Sequence, residues 1–265
     1  MVAHIANQYY DQESIVSEPW PTDAKLYQPN DDTQILLAES ASCLAVKTYL
    51  KMCNLDYEVK TCANAEFMSP GGRMTKLPFL QCGAFVIPEM EHIVSFVESK
   101  GKSLTDDLKL DADEKSDLRA YFSLTENIFS HAELYVSWID QSVLEKVTLI
   151  RNGSAFPWPL NHLQNYRKKQ QVLRHLKVFE WSDITIDEVA EKVGKCCENL
   201  CEKLGEKLFT FGDLPTELDA LIFGHIYTII TTDLPNNILA ETVRNFPKLL
   251  NFCNRIDRAY FTVKK

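Results

Sequence analysis

The sequence predicts an α/β domain on the N-terminal side, followed by an all-α domain. Before residue 101, strand-like and helix-like runs follow one another in the order strand, helix, strand, loop, hairpin, helix. After an acidic stretch that begins at Ser103, every apolar pattern has helical spacing. The length of 265 residues accommodates one large domain or two modest ones.

Two apolar runs are candidates for the first strand, Lys25–Tyr27 and Ile35–Leu37, and the sequence does not decide between them. The helical spacing that follows predicts a helix with Ser40 or Ser42 as its N-cap and Asn54 at its end. A strand–helix–strand unit is therefore expected to open the domain.

The second half of this domain is expected to form two strands, a hairpin and a helix. Tyr57–Cys62 alternates in strand fashion, and Lys76–Gln81 pairs with Phe85–Ile87 across a turn. Pro78 cannot donate to a strand ladder and is a candidate for a cis peptide bond. Apolar spacing over residues 90–97 then predicts a helix.

One helix is expected to be buried on all sides and to organise the second domain. Thr216 is a good N-cap and Asp219 follows three residues later, which is a capping box with Asp in place of Glu or Gln. The segment beyond them, residues 220–230, is apolar nearly all the way round. His225 within it is interpreted as a hydrogen-bonded core histidine.

The remaining helices have weaker signals. One apolar face continues from Leu118 to Ile139, and Phe156–Pro159 breaks the pattern before a new helix. A second capping box at Thr185–Glu188 opens another helix, and Phe246–Pro247 opens the last one.

These patterns divide the chain into four parts. They are a flexible tail over residues 1–22, an α/β domain over 23–101, a linker over 102–114 and a helical domain over 115–265. Trp20 lies between two prolines and is expected to dock on the folded body.

Composition excludes several classes of function. A net charge of −9 and a pI near 5.2 argue against nucleic acid as a partner. The chain contains no apolar run long enough for a transmembrane helix and no signal or transit peptide, so we expect it in the cytosol or on a membrane that faces the cytosol. Its eight cysteines follow no framework spacing and are expected to be free thiols.

The architecture resembles that of glutathione transferases, whose N-terminal domain is thioredoxin-like. Six segments are more specific, namely Glu18–Pro21, Met52–Leu55, Ala63–Glu66, Met68–Pro70, Pro157–His162 and Pro215–Ile230. In these segments the chain resembles the metaxin family. The resemblance implies a non-enzymatic protein without cofactor, on the cytosolic face of the mitochondrial outer membrane.

The family also implies partners. They are a membrane-anchored metaxin paralogue and the β-barrel assembly core protein of the outer membrane, with peripheral contact to the membrane. Because this chain ends at Lys265 without an apolar anchor, it is expected to be held by its partner, with a further cytosolic pool. The alternative non-enzymatic function is that of an adaptor that links mitochondria to motor proteins.

The comparison with glutathione transferases identifies the positions of a vestigial glutathione site, namely Cys43, Leu77, Pro78, Glu89 and Met90. Glutathione-binding members use a hydroxyl at the position of Met90 to hold the γ-glutamyl carboxylate. The alternative function is a glutathione transferase or thiol isomerase that uses Cys43, placed near a helix N-terminus. A small apolar core residue is the favoured interpretation, because no second cysteine completes a Cys-x-x-Cys motif.

Three further groups of residues have features of a binding site. Cys197 and Cys201 share a helix face with metal-ligand spacing, but two more ligands are lacking and no metal site is predicted. The loop Ser69–Arg73 lacks the Lys-Ser/Thr ending of a phosphate cradle. A basic run is interpreted as a solvated helix face or, alternatively, as a membrane or partner surface; it comprises Arg167, Lys168, Lys169, Arg174 and Lys177.

Overall fold

The computed structural model describes residues 19–62, 77–106 and 108–262. Its N-terminal domain contains a four-stranded sheet with the order β2-β1-β3-β4. The strands are β1 (Lys25–Gln28), β2 (Glu58–Thr61), β3 (Phe79–Cys82) and β4 (Phe85–Pro88). β1 pairs parallel with β2 and antiparallel with β3, and β3 forms a hairpin with β4. The run Lys25–Tyr27 is therefore the first strand.

Two helices complete this domain, α1 (Leu37–Met52) and α2 (Met90–Ser99). α1 connects the parallel strands β1 and β2, as a crossover helix does. Apolar side chains from the sheet and both helices form one buried cluster, which includes Leu26, Val46, Leu50, Leu80, Ile93 and Val97.

The predicted start of α1 was wrong. The helix begins at Leu37 rather than after Ser40 or Ser42. Its N-cap is Leu36, whose N–H donates to Glu39 Oε2 at 3.2 Å. The first-turn carboxylate therefore accepts the N–H of the N-cap residue itself, whereas an N-cap serine hydroxyl would accept an N–H two or three residues into the helix.

The C-terminal domain is helical. Its elements are α3 (Ala112–Trp138), α4 (Gln141–Val143), a π-helical turn (Leu144–Thr148), α5 (Leu149–Gly153), α6 (Leu160–Val178), α7 (Ile186–Leu204), α8 (Glu217–Thr231), α9 (Ile238–Arg244) and α10 (Pro247–Tyr260). α3 begins inside the stretch assigned to the linker, because Asp111 Oδ1 accepts the Glu114 N–H at 2.8 Å and caps it. The division of the chain at the remaining boundaries stays a prediction.

The centre of the molecule is α8, as the sequence predicts. It contacts α1, α3, α9 and α10. Its buried residues are Leu218 to Ile226, Thr228 and Ile229. The α/β domain therefore joins the helical domain through α1, which packs along this helix.

Polar contacts join the two domains at both ends of α1. Lys51 Nζ donates to the carbonyl of Tyr260 at 2.9 Å and lies 4.1 Å from the ring centroid of Phe261. At the other end, Arg151 of α5 donates to the carbonyl of Ile35 at 3.0 Å. At each end of α1, a basic side chain of one domain thus donates to a main-chain carbonyl of the other domain.

The predicted docking of Trp20 is confirmed. Its indole N–H donates to the carbonyl of Asp56 at 2.9 Å, and its ring meets that of Phe96 edge-on. The remainder of the predicted tail, residues 1–18, lies outside the described residues, as do the segments Ala63–Glu66 and Met68–Pro70 and the loop Ser69–Arg73. Among the residues the structure describes, no helix is long and apolar enough to cross a membrane.

Candidate functional site

The positions of a glutathione site lie where β3 begins and where β4 passes into α2. The Leu77–Pro78 peptide bond is cis, as expected of this proline, and Pro78 is buried. Glu89 is exposed and has a positive φ of 62° immediately before α2. The cis peptide bond and the positive φ therefore both lie at positions predicted for this site.

Met90 is the residue that the sequence comparison predicts at the position of the hydroxyl of glutathione-binding members. It is the first residue of α2, and its side chain is only 7% exposed, within the core of the α/β domain. A thioether has no O–H to donate to a carboxylate. This position therefore supplies apolar packing where substrate recognition needs a hydrogen-bond donor.

Cys43 does not lie at a helix N-terminus, and that expectation was wrong. It is the seventh residue of α1, whereas the effect of the helix dipole falls off within the first turn. The side chain is 1% exposed, and burial raises the pKa of the thiol far above its ordinary value. Because the thiolate is the reactive form, burial disfavours the reaction of this cysteine as a nucleophile.

Glu39 is a polar residue of the first turn of α1 that the sequence analysis missed. Burial raises the pKa of this half-buried carboxyl, while the nearby charge of Lys168 and the N–H of Leu36 act in the opposite direction. The only signal for it is its position three residues after Leu36, and that signal is weak because leucine is a poor N-cap.

The carboxylate of Asp219 accepts three hydrogen bonds at the start of α8. Its Oδ2 accepts the N–H of Thr216 at 2.8 Å and the hydroxyl of Thr216 at 2.7 Å, and its Oδ1 accepts the N–H of Thr210 at 2.8 Å. The Thr216 hydroxyl is thus turned to the carboxylate instead of to the N–H of Asp219. Burial raises the pKa of Asp219, and these hydrogen bonds oppose the shift. The group stabilises the fold.

His225 is a hydrogen-bonded core histidine, as predicted. Its Nδ1 lies 2.8 Å from Oε1 of Glu133, and its Nε2 lies 3.6 Å from Oε2 of Glu126. Burial by itself lowers the pKa of His225, but the two carboxylates outweigh it and raise the pKa to about 10. Both His225 and Glu133 are fully buried, so this pair is closed to any substrate.

The cysteines of α7 belong to the core. Cys196 and Cys197 are buried, and burial raises the pKa of both thiols. Cys201 is half-buried on the same helix. Within the described ranges, no group of three or more His, Cys, Asp or Glu side chains could hold a metal ion.

The five residues of the basic run do not share one surface. Arg167, Arg174 and Lys177 are exposed, whereas Lys168 and Lys169 are half-buried on the flanks of α6. The exposed basic side chains lie beside apolar ones. Leu163 is 52% exposed and Tyr166 is 64% exposed.

Family models match both domains. The model of the glutathione S-transferase N-terminal domain matches residues 41–143, and that of the glutathione S-transferase C-terminal domain matches residues 193–256. Among solved structures, a glutathione S-transferase from Rhodospirillum rubrum has a TM-score of 0.55 at 17% identity, and it covers 91% of this chain and 93% of its own. The predicted fold class is therefore confirmed.

Comparison with sequence relatives identifies a narrower family than the two family models do. Metaxin-2 of Mus musculus is 46% identical over 245 residues, which span 92% of this chain and 91% of that protein. The Metaxin-2 homolog of Caenorhabditis elegans is 37% identical over 79% of this chain and 89% of its own length. Metaxin-1 of Mus musculus is 26% identical over 82% of this chain and 69% of its own length. The chain belongs to the metaxin family and has a glutathione-transferase-like fold.

Proposed function

We propose that the protein is a non-enzymatic subunit of the mitochondrial outer-membrane sorting and assembly machinery. In this role it acts in protein import and β-barrel insertion, on the cytosolic face of the membrane. Its partners are a membrane-anchored metaxin paralogue and the β-barrel assembly core protein. The observation that carries the proposal is the similarity to Metaxin-2, at 46% identity over 92% of the chain.

The vestigial site supports a function without catalysis. Met90 fills the place of the hydroxyl with a buried apolar side chain. Cys43, which the enzymatic alternative requires as its nucleophile, is inaccessible, and its pKa is raised by burial. A fold shared with glutathione transferases does not carry their function when the groups that bind and activate the thiol are replaced.

The joint between the domains supports a function as a rigid binding subunit. α1 belongs to the α/β domain and packs along the buried helix α8. Lys51 and Arg151 donate to main-chain carbonyls across the same joint. Surfaces from both domains are therefore held in a fixed relation, which suits simultaneous contact with two partners.

Affinity purification from detergent-solubilised mitochondria tests the proposal. We expect the tagged chain to recover an anchored metaxin paralogue and the β-barrel assembly core protein. A tagged glutathione transferase of the same fold, targeted to the same cells, is the control and should recover neither. Recovery of motor proteins without the assembly core would contradict the proposal and support the adaptor function.

A further inference from the structure

The segment Lys146–Phe179 differs in charge from the rest of the chain. It contains seven Lys and Arg residues and no Asp or Glu. Its net charge of +7, in a chain of −9, leaves −16 for the remaining residues. This segment therefore carries an excess of positive charge in a chain whose overall composition is acidic.

The same segment also concentrates exposed apolar side chains. In the described part of the chain, eleven large apolar side chains are exposed, and seven of them lie between Ile150 and Phe179. Trp158 is 79% exposed and is the most exposed of the four tryptophans; Trp138 and Trp181 are buried and Trp20 is half-buried. Apolar exposure of this density marks an interaction site.

Helix α6 places two of these side chains, Leu163 and Tyr166, on one outer face. Its inner face is formed by Asn165, Val172 and Leu176, which are buried. Its outer face follows a spacing of three or four residues, through Leu163, Tyr166, Gln170, Arg174 and Lys177. Trp158 precedes the helix by two residues, at the apolar end of this face.

The outer face has an apolar end and a basic end. Trp158, Leu163 and Tyr166 form the first, and Arg174 and Lys177 form the second, about 21 Å along the helix from Leu163 to Lys177. No described carboxylate makes an ion pair with either Arg174 or Lys177. We call these five residues the α6 surface. Cations without an ion-pair partner lie at one end of this surface, and exposed tryptophan and tyrosine rings lie at the other.

We propose that the α6 surface binds directly to a phospholipid bilayer that carries anionic headgroups. Tryptophan and tyrosine rings favour the level of the headgroups, and lysine and arginine favour an anionic leaflet. A protein partner fits less well because lysine is depleted at protein interfaces, whereas this segment contains four lysines. The acidic remainder of the molecule, repelled by such a leaflet, would face the solvent and fix the orientation. The inference rests on the proposed function only in placing the protein at a membrane.

Vesicle binding by the purified full-length chain tests the inference. Binding to phosphatidylcholine vesicles is compared with binding to vesicles that also contain phosphatidylserine. We expect binding only to the second kind, with a blue shift of tryptophan emission that Trp158→Phe removes. Each basic side chain near an anionic surface contributes about a fivefold factor in affinity, so Arg174→Glu combined with Lys177→Glu should weaken binding at least twentyfold.

The control variant carries Lys115→Glu and Arg244→Glu, two exposed residues on other helices, and changes the net charge equally. It should bind as the unmodified chain does. Equal loss in both variants would overturn the inference, because binding would then follow net charge. Two other results would also overturn the inference. One is an absence of vesicle binding. The other is an acidic protein that co-purifies from mitochondria with the unmodified chain and is lost in the α6 variant alone. Recovery of the assembly partners is measured by affinity purification. A failure of the proposed function can therefore be distinguished from a failure of vesicle binding.

Discussion

Gly224 of α8 lies directly against Ala45 of α1. A Cβ atom built on Gly224 would come within 2.6 Å of both the Cβ and the backbone nitrogen of Ala45, and within 2.7 Å of the carbonyl oxygen of Ala41. Real Cβ atoms do not approach so closely, and two of the three neighbouring atoms belong to the backbone. The absence of a side chain at Gly224 is thus what allows the two domains to meet.

Gly224→Ala should lower the stability of the protein. Alanine gains about 1 kcal/mol in helix propensity, but overpacking against a backbone that cannot move away costs about 1–3 kcal/mol or more. We expect a net loss of about 2 kcal/mol and a melting temperature lower by several degrees in a thermal unfolding experiment.

Gly194→Ala in α7 is the matched control. A Cβ atom there meets only the methyl group of Thr242, at the ordinary distance of 3.7 Å. This substitution should leave the melting temperature unchanged or raise it slightly, because only the propensity gain remains. Equal effects of the two substitutions would show that α1 and α8 are not in close contact.

Asp219→Ala should destabilise the protein more than the loss of an ordinary cap. The carboxylate accepts three hydrogen bonds from Thr210 and Thr216 and is fully buried, so its removal leaves several buried donors unsatisfied. An unsatisfied buried donor costs about 1–3 kcal/mol, and a lost N-cap costs about 1 kcal/mol. We expect a loss of about 3 kcal/mol in urea unfolding.

The control for Asp219 is Glu114→Ala, because Glu114 holds the same position in the capping box of α3, accepts the N–H of Asp111 and is exposed. Water can replace its hydrogen bond, and the expected loss is about 1 kcal/mol. If both substitutions lower the free energy of unfolding equally, burial does not increase the contribution of the hydrogen bonds at the start of α8.

The central helix could be predicted from sequence because its signals are local. An N-cap residue, an acid three residues later and an apolar run around the helix are all visible within residues 216–230. The start of α1 could not be predicted, because the side chain of Glu39 accepts the N–H of Leu36. No propensity rule favours an apolar residue such as leucine at the N-cap. Arg151 and Lys51 were missed as domain contacts because their acceptors are main-chain carbonyls distant in sequence.

The exposure of individual side chains on α6 could not be predicted from the sequence either. Leu163 and Tyr166 have the spacing of a buried face, yet Asn165 occupies the interior. Asn165 is held there by two contacts, since its Nδ2 donates to the carbonyl of Leu149 and its Oδ1 accepts from Asn152. Those two hydrogen bonds belong to tertiary structure, so the spacing of apolar residues alone could not show which face of α6 is exposed.

The buried pair of His225 and Glu133 should make stability depend on pH. The pKa of His225 is about 10 in the folded protein and about 6.5 in the unfolded chain, so the folded state keeps a proton that the unfolded state releases. Its contribution is therefore complete below pH 6.5 and is lost as the pH rises towards 10. The slope for one proton is at most about 1.4 kcal/mol per pH unit.

His225→Gln should flatten this dependence, and unfolding in urea at several pH values between 7 and 8.5 measures it. The exposed His162→Gln is the control and should leave the slope as it is. Comparison between variants removes the contribution of the buried cysteines, whose raised pKa values also favour the folded state at lower pH. An unchanged slope in His225→Gln would mean that this histidine is not charged in the folded state.

No glutathione conjugation is expected from the purified protein. With a generic electrophile and glutathione, the rate should equal that of buffer, because Met90 offers no hydroxyl and the Cys43 thiol remains protonated. Cys43→Ala should behave identically, and a glutathione transferase assayed in parallel is the positive control. A turnover that disappears in Cys43→Ala would establish the enzymatic alternative.

Alkaline extraction should release the protein from mitochondrial membranes. On the proposed function it is held by its contact with an anchored paralogue and by the α6 surface, and among the described residues no helix is long and apolar enough to cross a membrane. The anchored paralogue should stay in the membrane pellet, which makes it the internal control. Resistance to extraction would contradict the peripheral attachment.

Loss of the anchored paralogue should leave the chain cytosolic or degraded, because a few basic side chains give only weak, reversible membrane binding without a second signal. Lys168→Glu with Lys169→Glu should weaken attachment only modestly, since both residues are half-buried on the flanks of α6. Arg174→Glu with Lys177→Glu should weaken it more, since both are exposed on the outer face. Fractionation of cells that lack the paralogue measures the first effect, and persistence of the chain on those membranes would contradict tethering by a partner.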